Sequence, residues 1–244
     1  MPAELRLGGY RVLLTGATGG IGRAIASALA GAGARLALSG RRTSELRGLV
    51  QQLSDRLGDA RAISADLEDP DAAAALPGRA AEAMGGLDCV INNAGLAMQM
   101  PVERTDLASW DRMLAINARA PFLICREATP YLARSPRARV VNISSVVGRK
   151  GYENQSAYAA SKHALEGFTK VYAREVHALG IGVHIIAPGG VDTPMVSEMR
   201  PDIDADGLIA PGEIAEAVLF LLGASGNACI DRIDVRRWGK KPWS

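Results

Sequence analysis

Tyr158 and Lys162 stand four residues apart in Tyr158-Ala159-Ala160-Ser161-Lys162, inside a stretch with helical periodicity, Ala157–Leu179. Four residues is about one helical turn, so phenol and ammonium share a helix face. A cation there favours phenolate, and the spacing predicts that Lys162 lowers the Tyr158 pKa from its ordinary value near 10. Tyrosine then becomes an acid and base usable near neutral pH. Taken alone, the same pattern also describes an exposed aromatic beside a solvated lysine.

A second cluster lies near the start of the chain. The apolar run Val12–Thr15 leads directly into Gly16-Ala17-Thr18-Gly19-Gly20-Ile21-Gly22, and a helical stretch opens behind it. Glycines in that place let the backbone approach a pyrophosphate, while the helix N-terminus offers N–H groups and a favourable dipole. The spacing fits both Gly16/Gly20/Gly22 and Gly16/Gly19/Gly22. After the next apolar run comes Gly40-Arg41-Arg42, where an NAD site would place a carboxylate for the ribose hydroxyls. Two guanidiniums suit a ribose 2′-phosphate instead, which favours NADP(H) over NAD(H).

These residues need a frame. Short apolar runs at Val12–Thr15, Arg35–Ser39, Ala62–Ser64, Cys89–Asn92, Arg139–Ile143, Gly182–Ile186 and Ile230–Val235 read as strands. Between them, Ile21–Ala32, Ser44–Leu57, Ala72–Met84, Leu107–Ala133, Ala157–Leu179 and Ile214–Leu222 read as helices. Strands that are nearly continuously apolar and alternate with helices predict one α/β domain over residues 1–244: a Rossmann-type, doubly wound, parallel seven-stranded sheet with helices on both faces. Ligands of such sheets sit beyond the carboxyl ends of the strands, which is where both clusters fall.

The 244 residues are 48% hydrophobic and 22% charged, with a formal net charge of +2, a balance that points away from nucleic acid as partner. Cys89, Cys125 and Cys229 are too few and too far apart for a disulfide framework or a Cys-x-x-Cys metal site. With three histidines and no ligand spacing, no metal is expected. The first ten residues lack a secretory pattern and no apolar run reaches the roughly 18 residues of a membrane span, so a cytoplasmic protein is expected.

With Asn92-Asn93-Ala94-Gly95 after the fourth strand and Asn142-Ile143-Ser144-Ser145 after the fifth, the chain resembles the short-chain dehydrogenase/reductase family from about residue 10 to 235. The resemblance implies that Tyr158 protonates a carbonyl oxygen as hydride arrives from nicotinamide, or takes the proton back in the reverse direction. Ser145, thirteen residues before Tyr158, would position that oxygen; Ser144 points to the other face of an extended segment. Lys162 would also bind the nicotinamide ribose, and Asn117 in Leu114-Ala115-Ile116-Asn117-Ala118 would hold a water in a proton relay. The implied cofactor contacts are Gly16, Thr18, Gly20, Ile21, Gly22, Arg41, Arg42, Asp66, Leu67, Asn93, Ala94, Gly95, Tyr158, Lys162, Pro188, Gly189, Val191 and Thr193. A homodimer or homotetramer acting on a small carbonyl or alcohol is implied as well.

The pattern departs from the family in three places. The basic residue that many NADP-using relatives carry before the second loop glycine is Gly19 here. The Gly-Gly pair after the last strand is replaced by the basic tail 236–244, and Arg232, Arg236, Arg237, Lys240 and Lys241 with Trp238 and Trp243 offer an anionic substrate or a partner a surface, unless the tail is simply solvated. The stretch Met195–Ala210 is short, which predicts an adaptable substrate side. An NAD-dependent alcohol dehydrogenase, a nucleotide-sugar enzyme of the extended type and a non-catalytic NADP sensor are the alternatives.

Overall fold

A computed structural model describes residues 7–54, 59–199, 204–224 and 228–242. Seven strands form one sheet: β1 (Arg11–Thr15), β2 (Arg35–Gly40), β3 (Ala60–Ser64), β4 (Cys89–Asn92), β5 (Arg139–Ile143), β6 (Gly182–Pro188) and β7 (Arg232–Val235). All pairings are parallel, in the order β3-β2-β1-β4-β5-β6-β7. The helices are α1 (Gly20–Gly31), α2 (Thr43–Ser54), α3 (Pro70–Met84), α4 (Leu107–Leu114), α5 (Ala120–Leu132), α6 (Ser156–Glu175), α7 (Pro194–Met199) and α8 (Pro211–Gly223). The expected doubly wound parallel sheet is therefore the fold.

Both sheet faces are covered, which is why the central strands carry apolar residues almost without interruption. On one face Val12, Leu14, Ile91, Val141 and Ile186 pack against Ile25 and Leu29 of α1, Leu46 and Leu49 of α2 and Val218 of α8. On the other, Leu13, Val90, Val140 and Val183 meet Leu76 of α3, Ile124 of α5 and Tyr172 of α6. Sequence order reverses at the β1/β4 pair, so the connections after these two strands part and open a crevice at their carboxyl ends.

The stretch read as one helix over Leu107–Ala133 is two helices joined by a π turn, Ala115–Arg119. Pro121 has no N–H to return to the Asn117 carbonyl four residues back, and the helix widens at that point. Asn117 sits in the widened turn, fully buried. The short helix α7 was not legible in the sequence; Thr193 caps it by accepting a hydrogen bond from Val196 N at 3.4 Å. Residues 200–203 of the stretch Met195–Ala210, the end of the helix expected at Ser44–Leu57, and Trp243 with Ser244 lie outside the described residues.

One polar ladder runs through the apolar interior. Asn92 Nδ2 donates to Asn142 Oδ1 at 2.8 Å, and Asn142 Nδ2 donates to Thr169 Oγ1 at 2.8 Å, tying β4, β5 and α6 together just below the crevice. Asn142 is fully buried, so losing its side chain strands partners that water does not reach. Asn142→Ala is expected to destabilise the fold by about 2–3 kcal/mol in urea denaturation, with an unchanged m-value. A loss below about 0.5 kcal/mol would mean that the ladder contributes nothing.

Candidate active site

The crevice is a cavity of about 750 Å³ bordered by the connections after β1 and β4, by Tyr158 and Lys162 of α6, and by Met195 and Met199 of α7. Its floor is the glycine loop. Gly16 has φ +62°, and a Cβ there would stand 2.7 Å from the Ala94 Cα. A Cβ on Gly20 would meet Thr193 Cγ2 at 2.6 Å, and one on Gly22 would fall onto the Gly16 carbonyl oxygen. Gly19, with φ −73°, meets only that oxygen at an ordinary 3.4 Å. The spacing left open by the sequence is therefore Gly16/Gly20/Gly22. Asn93 braces the loop from β4, with Nδ2 donating to the carbonyls of Thr15 and Gly16 at 3.0 and 3.1 Å.

Arg41 and Arg42 border the same cavity at the end of β2, and each already has a carboxylate. Arg41 Nη1 is 3.4 Å from Glu68 Oε1, and Arg42 Nη1 is 3.0 Å from Glu45 Oε1. Glu68 also takes Arg112 Nε of α4 at 2.6 Å, and its backbone carbonyl accepts from Arg119 Nη2 of the π turn at 2.6 Å. Asp66 lines the cavity with Leu67 and accepts from Glu68 N at 3.0 Å, so it is a turn residue as well as a cavity residue. Sequence reading missed Glu68 because nothing local marks it; its importance comes from arginines 27 and 44 positions away.

At the end of β5 the two serines part. Ser144 Oγ donates to Glu166 Oε1 at 2.7 Å. Ser145 hydrogen-bonds the Tyr158 phenol, and its Oγ also accepts from Val147 N at 3.3 Å. Lys162 is buried, with Nζ donating to the Ile143 carbonyl at 2.9 Å. Burial pushes its pKa down to about 8, against an opposing pull from Glu166.

The expectation of a Tyr158 phenol below its ordinary value is corrected. Burial pushes the phenol above that value, and the group that opposes this is Ser145. Lys162 shares the helix face, and one of its three N–H groups donates to a β5 carbonyl.

Asn117 is nearby, yet its side chain is fully engaged. Oδ1 accepts from Leu96 N at 2.8 Å, and Nδ2 donates to Leu96 O at 2.7 Å and to Ser161 Oγ at 2.9 Å. It thereby fixes the connection after β4, where a Cβ on Gly95 would lie 3.6 Å from Asn117 Oδ1 and 3.7 Å from Lys162 Nζ. Its backbone carbonyl is one that Pro121 leaves without an α-helical donor.

Of the remaining expected contacts, Thr18, Ile21, Ala94 and Thr193 line the cavity. Pro188, Gly189 and Val191 do not: Gly189 N donates to Val235 O at 2.8 Å, and Val191 is buried and paired with Ile209. They build the ledge that carries Thr193. Leu96, Ala97, Met195 and Met199 give the cavity an apolar side that no spacing had marked.

Arg232 is withdrawn from the basic tail. Its Nη1 lies 2.6 Å from Glu166 Oε2 and the side chain is 10% exposed. Trp238 is 95% exposed and Arg236 folds back on the carbonyls of Arg237, Trp238 and Lys240, as in a solvated tail.

The loop geometry separates its glycines experimentally. Gly19→Ala is expected to bind nicotinamide dinucleotide within about threefold of the parent, whereas Gly22→Ala loses at least about tenfold, because backbone must shift. Cofactor fluorescence titration measures both; equal losses would refute the assignment of the three demanding positions.

Comparison with known proteins agrees with this architecture. The chain is 35% identical over 224 residues to a nodulation protein G of Rhizobium sp. (strain N33), covering 88% of this chain and 90% of that one. It is 34% identical over 224 residues to an acetoacetyl-CoA reductase of Acinetobacter sp. (strain RA3849), with the same coverage. The crystal structure of a metagenomic short-chain oxidoreductase in complex with NADP superposes with a TM-score of 0.83 at 30% identity, covering 98% of this chain and all of that one. Residues 10–204 match the model of a family described as short chain dehydrogenase, and the chain belongs to that family of oxidoreductases.

Proposed function

We propose that the protein is an NADP(H)-dependent oxidoreductase that interconverts a carbonyl and a secondary alcohol, with Tyr158 as the acid and base. The observation that carries this reading is that Tyr158, hydrogen-bonded by Ser145, and Lys162 line one side of a cavity whose floor is a glycine cradle and whose border holds two arginines. The cradle fits a pyrophosphate, since side chains at Gly16, Gly20 and Gly22 would fill the space that the backbone keeps open. Arg41 and Arg42 fit a 2′-phosphate, and the NADP of the metagenomic relative supports the same choice.

When bound, the nicotinamide supplies or accepts the hydride. The chain's own groups manage the proton. Ser145 and Tyr158 hydrogen-bond the substrate oxygen; Tyr158 gives up its phenolic proton as charge develops there, and recovers it in the alcohol-oxidising direction. A phenol kept neutral by burial suits the donating role. Lys162, held toward the β5 end by Ile143, stabilises the phenolate that donation leaves and would hold the ribose hydroxyls of a bound nicotinamide. Asn117 orders Leu96 and offers its carbonyl to a relay water.

Leu96, Ala97, Met195 and Met199 favour a substrate with an apolar body, carried on a small molecule. A homodimer or homotetramer is part of the reading, supported by Phe122 of α5 and Val171 of α6, exposed to 42% and 56%.

The deciding assay follows NADPH and NADH oxidation with ketones, quinones, 3-oxoacyl thioesters and steroids. Tyr158→Phe is expected to lower kcat by about 10²–10⁴-fold with NADPH affinity retained; activity at the parent rate would remove the tyrosine from its role. Replacing Arg41 and Arg42 together by Ala is expected to raise the KM for NADPH by about 10–100-fold and leave NADH nearly unchanged, since the two exposed contacts together contribute about 1.4–2.8 kcal/mol. A parent enzyme that prefers NADH would overturn the cofactor assignment.

A further inference from the structure

Glu166 lies one turn beyond Lys162 on α6 and is 1% exposed, yet the reaction above makes no use of it. Its carboxylate collects groups from other elements. Ser144 Oγ at the end of β5 donates to Oε1 at 2.7 Å, Arg232 Nη1 of β7 stands 2.6 Å from Oε2, and Arg149 Nε, just past the 3-10 turn Val146–Gly148, stands 3.4 Å from the same oxygen. The turn is shaped around it, because a Cβ on Gly148 would collide with the carboxylate. Arg232 is steadied in turn by Asp234, 2.7 Å from Nη2.

Lys162 is the other cation in reach of this carboxylate. The ammonium donates to the Ile143 carbonyl of β5, Glu166 follows it by one turn and Tyr158 precedes it by one turn on its own helix, and Gly95 of the β4 connection packs nearby. Among these described neighbours Glu166 supplies the only negative charge, and it favours the ammonium against the burial that disfavours it.

We propose that Glu166 is a positioning residue for the reduction: clamped by Arg232 and Arg149, it seats the Ser144–Ser145 turn and keeps Lys162 cationic beside Tyr158. The inference rests on the proposed roles of Tyr158 and Lys162. It makes a prediction that scaffolding alone does not. Three cations share one carboxylate, so removing the carboxylate and removing a guanidinium act on Lys162 in opposite directions.

The chain has five lysines, which makes selective 13Cε labelling and NMR titration of Lys162 practicable, with Lys162→Arg assigning the resonance. The parent midpoint is expected near pH 8. Glu166→Gln moves it to lower pH; Arg232→Gln and Arg149→Gln move it to higher pH. The alkaline limb of kcat for carbonyl reduction moves the same way in each variant, and Glu166→Gln loses about tenfold in kcat at neutral pH, part of the 10²–10⁴ that a positioned acid supplies. Arg149 is half-exposed, so its variant folds even if Glu166→Gln does not, and an upward shift in Arg149→Gln is then required.

A midpoint unmoved in Glu166→Gln, arginine variants that shift it downward, or a kcat profile that stays fixed while the midpoint moves overturns the proposal. The NMR shifts do not need turnover. If Tyr158→Phe keeps the parent rate while the shifts appear as described, the acid assignment fails and the charge link stands. If turnover depends on Tyr158 and the midpoint stays put, the inference about Glu166 fails alone.

Discussion

The site is organised by one costly placement: a lysine ammonium taken out of water at the carboxyl end of β5. A buried charge is tolerated only where hydrogen bonds and opposite charge replace its hydration. Lys162 has both, in the Ile143 carbonyl at 2.9 Å and in Glu166 one turn away. Much else follows from fitting around it. Gly95 packs beside Nζ, and Asn117 is brought to the same spot by a turn that an α-helix does not contain. Glu166 itself is buried, so it needs cations of its own and draws in Arg232 and Arg149. The cavity side formed by Tyr158 and Lys162 is thus continuous with an ion cluster that reaches the last strand.

The π turn shows the same economy in backbone. Proline in a helix removes a donor and normally breaks the element. Pro121 instead sits where the helix has already widened, and the widening carries the Asn117 side chain to Leu96 and Ser161. One residue thereby anchors the connection after β4, which forms one wall of the crevice, to α6, which carries Tyr158. Asn93 anchors that connection to the glycine loop on the floor. Wall and floor are fixed before any ligand arrives, as expected of a site that works by preorganisation.

What was legible in the sequence divides along the same physical lines. The strands were readable because residues such as Val12–Leu14 and Val140–Val141 are buried on both faces, a pattern that local composition records. Tyr158, Lys162 and the glycine loop could be singled out because the patterns that mark them lie within one stretch of chain, and all three border the same cavity. Most of the misreadings involve partners distant in the chain. Arg232 looked like part of a basic tail until Glu166, 66 positions earlier, met it. The shared helix face suggested a lowered phenol, but the i, i+4 relation says nothing about the packing from other elements that buries the ring and raises it. The loop spacing stayed ambiguous until Thr193 and Ala94 showed which glycines have no room for Cβ. The helix over Leu107–Ala133 read as continuous because hydrophobic periodicity carries across a π turn with little change.

Under the proposed activity, cofactor choice has the character of an exchange rather than the filling of an empty site. Arg41 and Arg42 each hold a carboxylate, Glu68 and Glu45, at the rim of the cavity. All four side chains are at least 35% exposed, so these pairs are weak and screened by salt. A 2′-phosphate brings roughly −1.5 to −2 charges and three acceptor oxygens, enough to take the guanidiniums from their carboxylates, whereas a ribose hydroxyl offers no charge and leaves the pairs as they are. Selectivity arises from that difference. Because Glu68 also holds Arg112 of α4 and, through its carbonyl, Arg119 of the π turn, the exchange takes place on a carboxylate fixed to the same turn that orders Asn117. The adenosine end and the proton-handling end of the crevice are in this way parts of one connected polar framework, joined through α4 and the π turn.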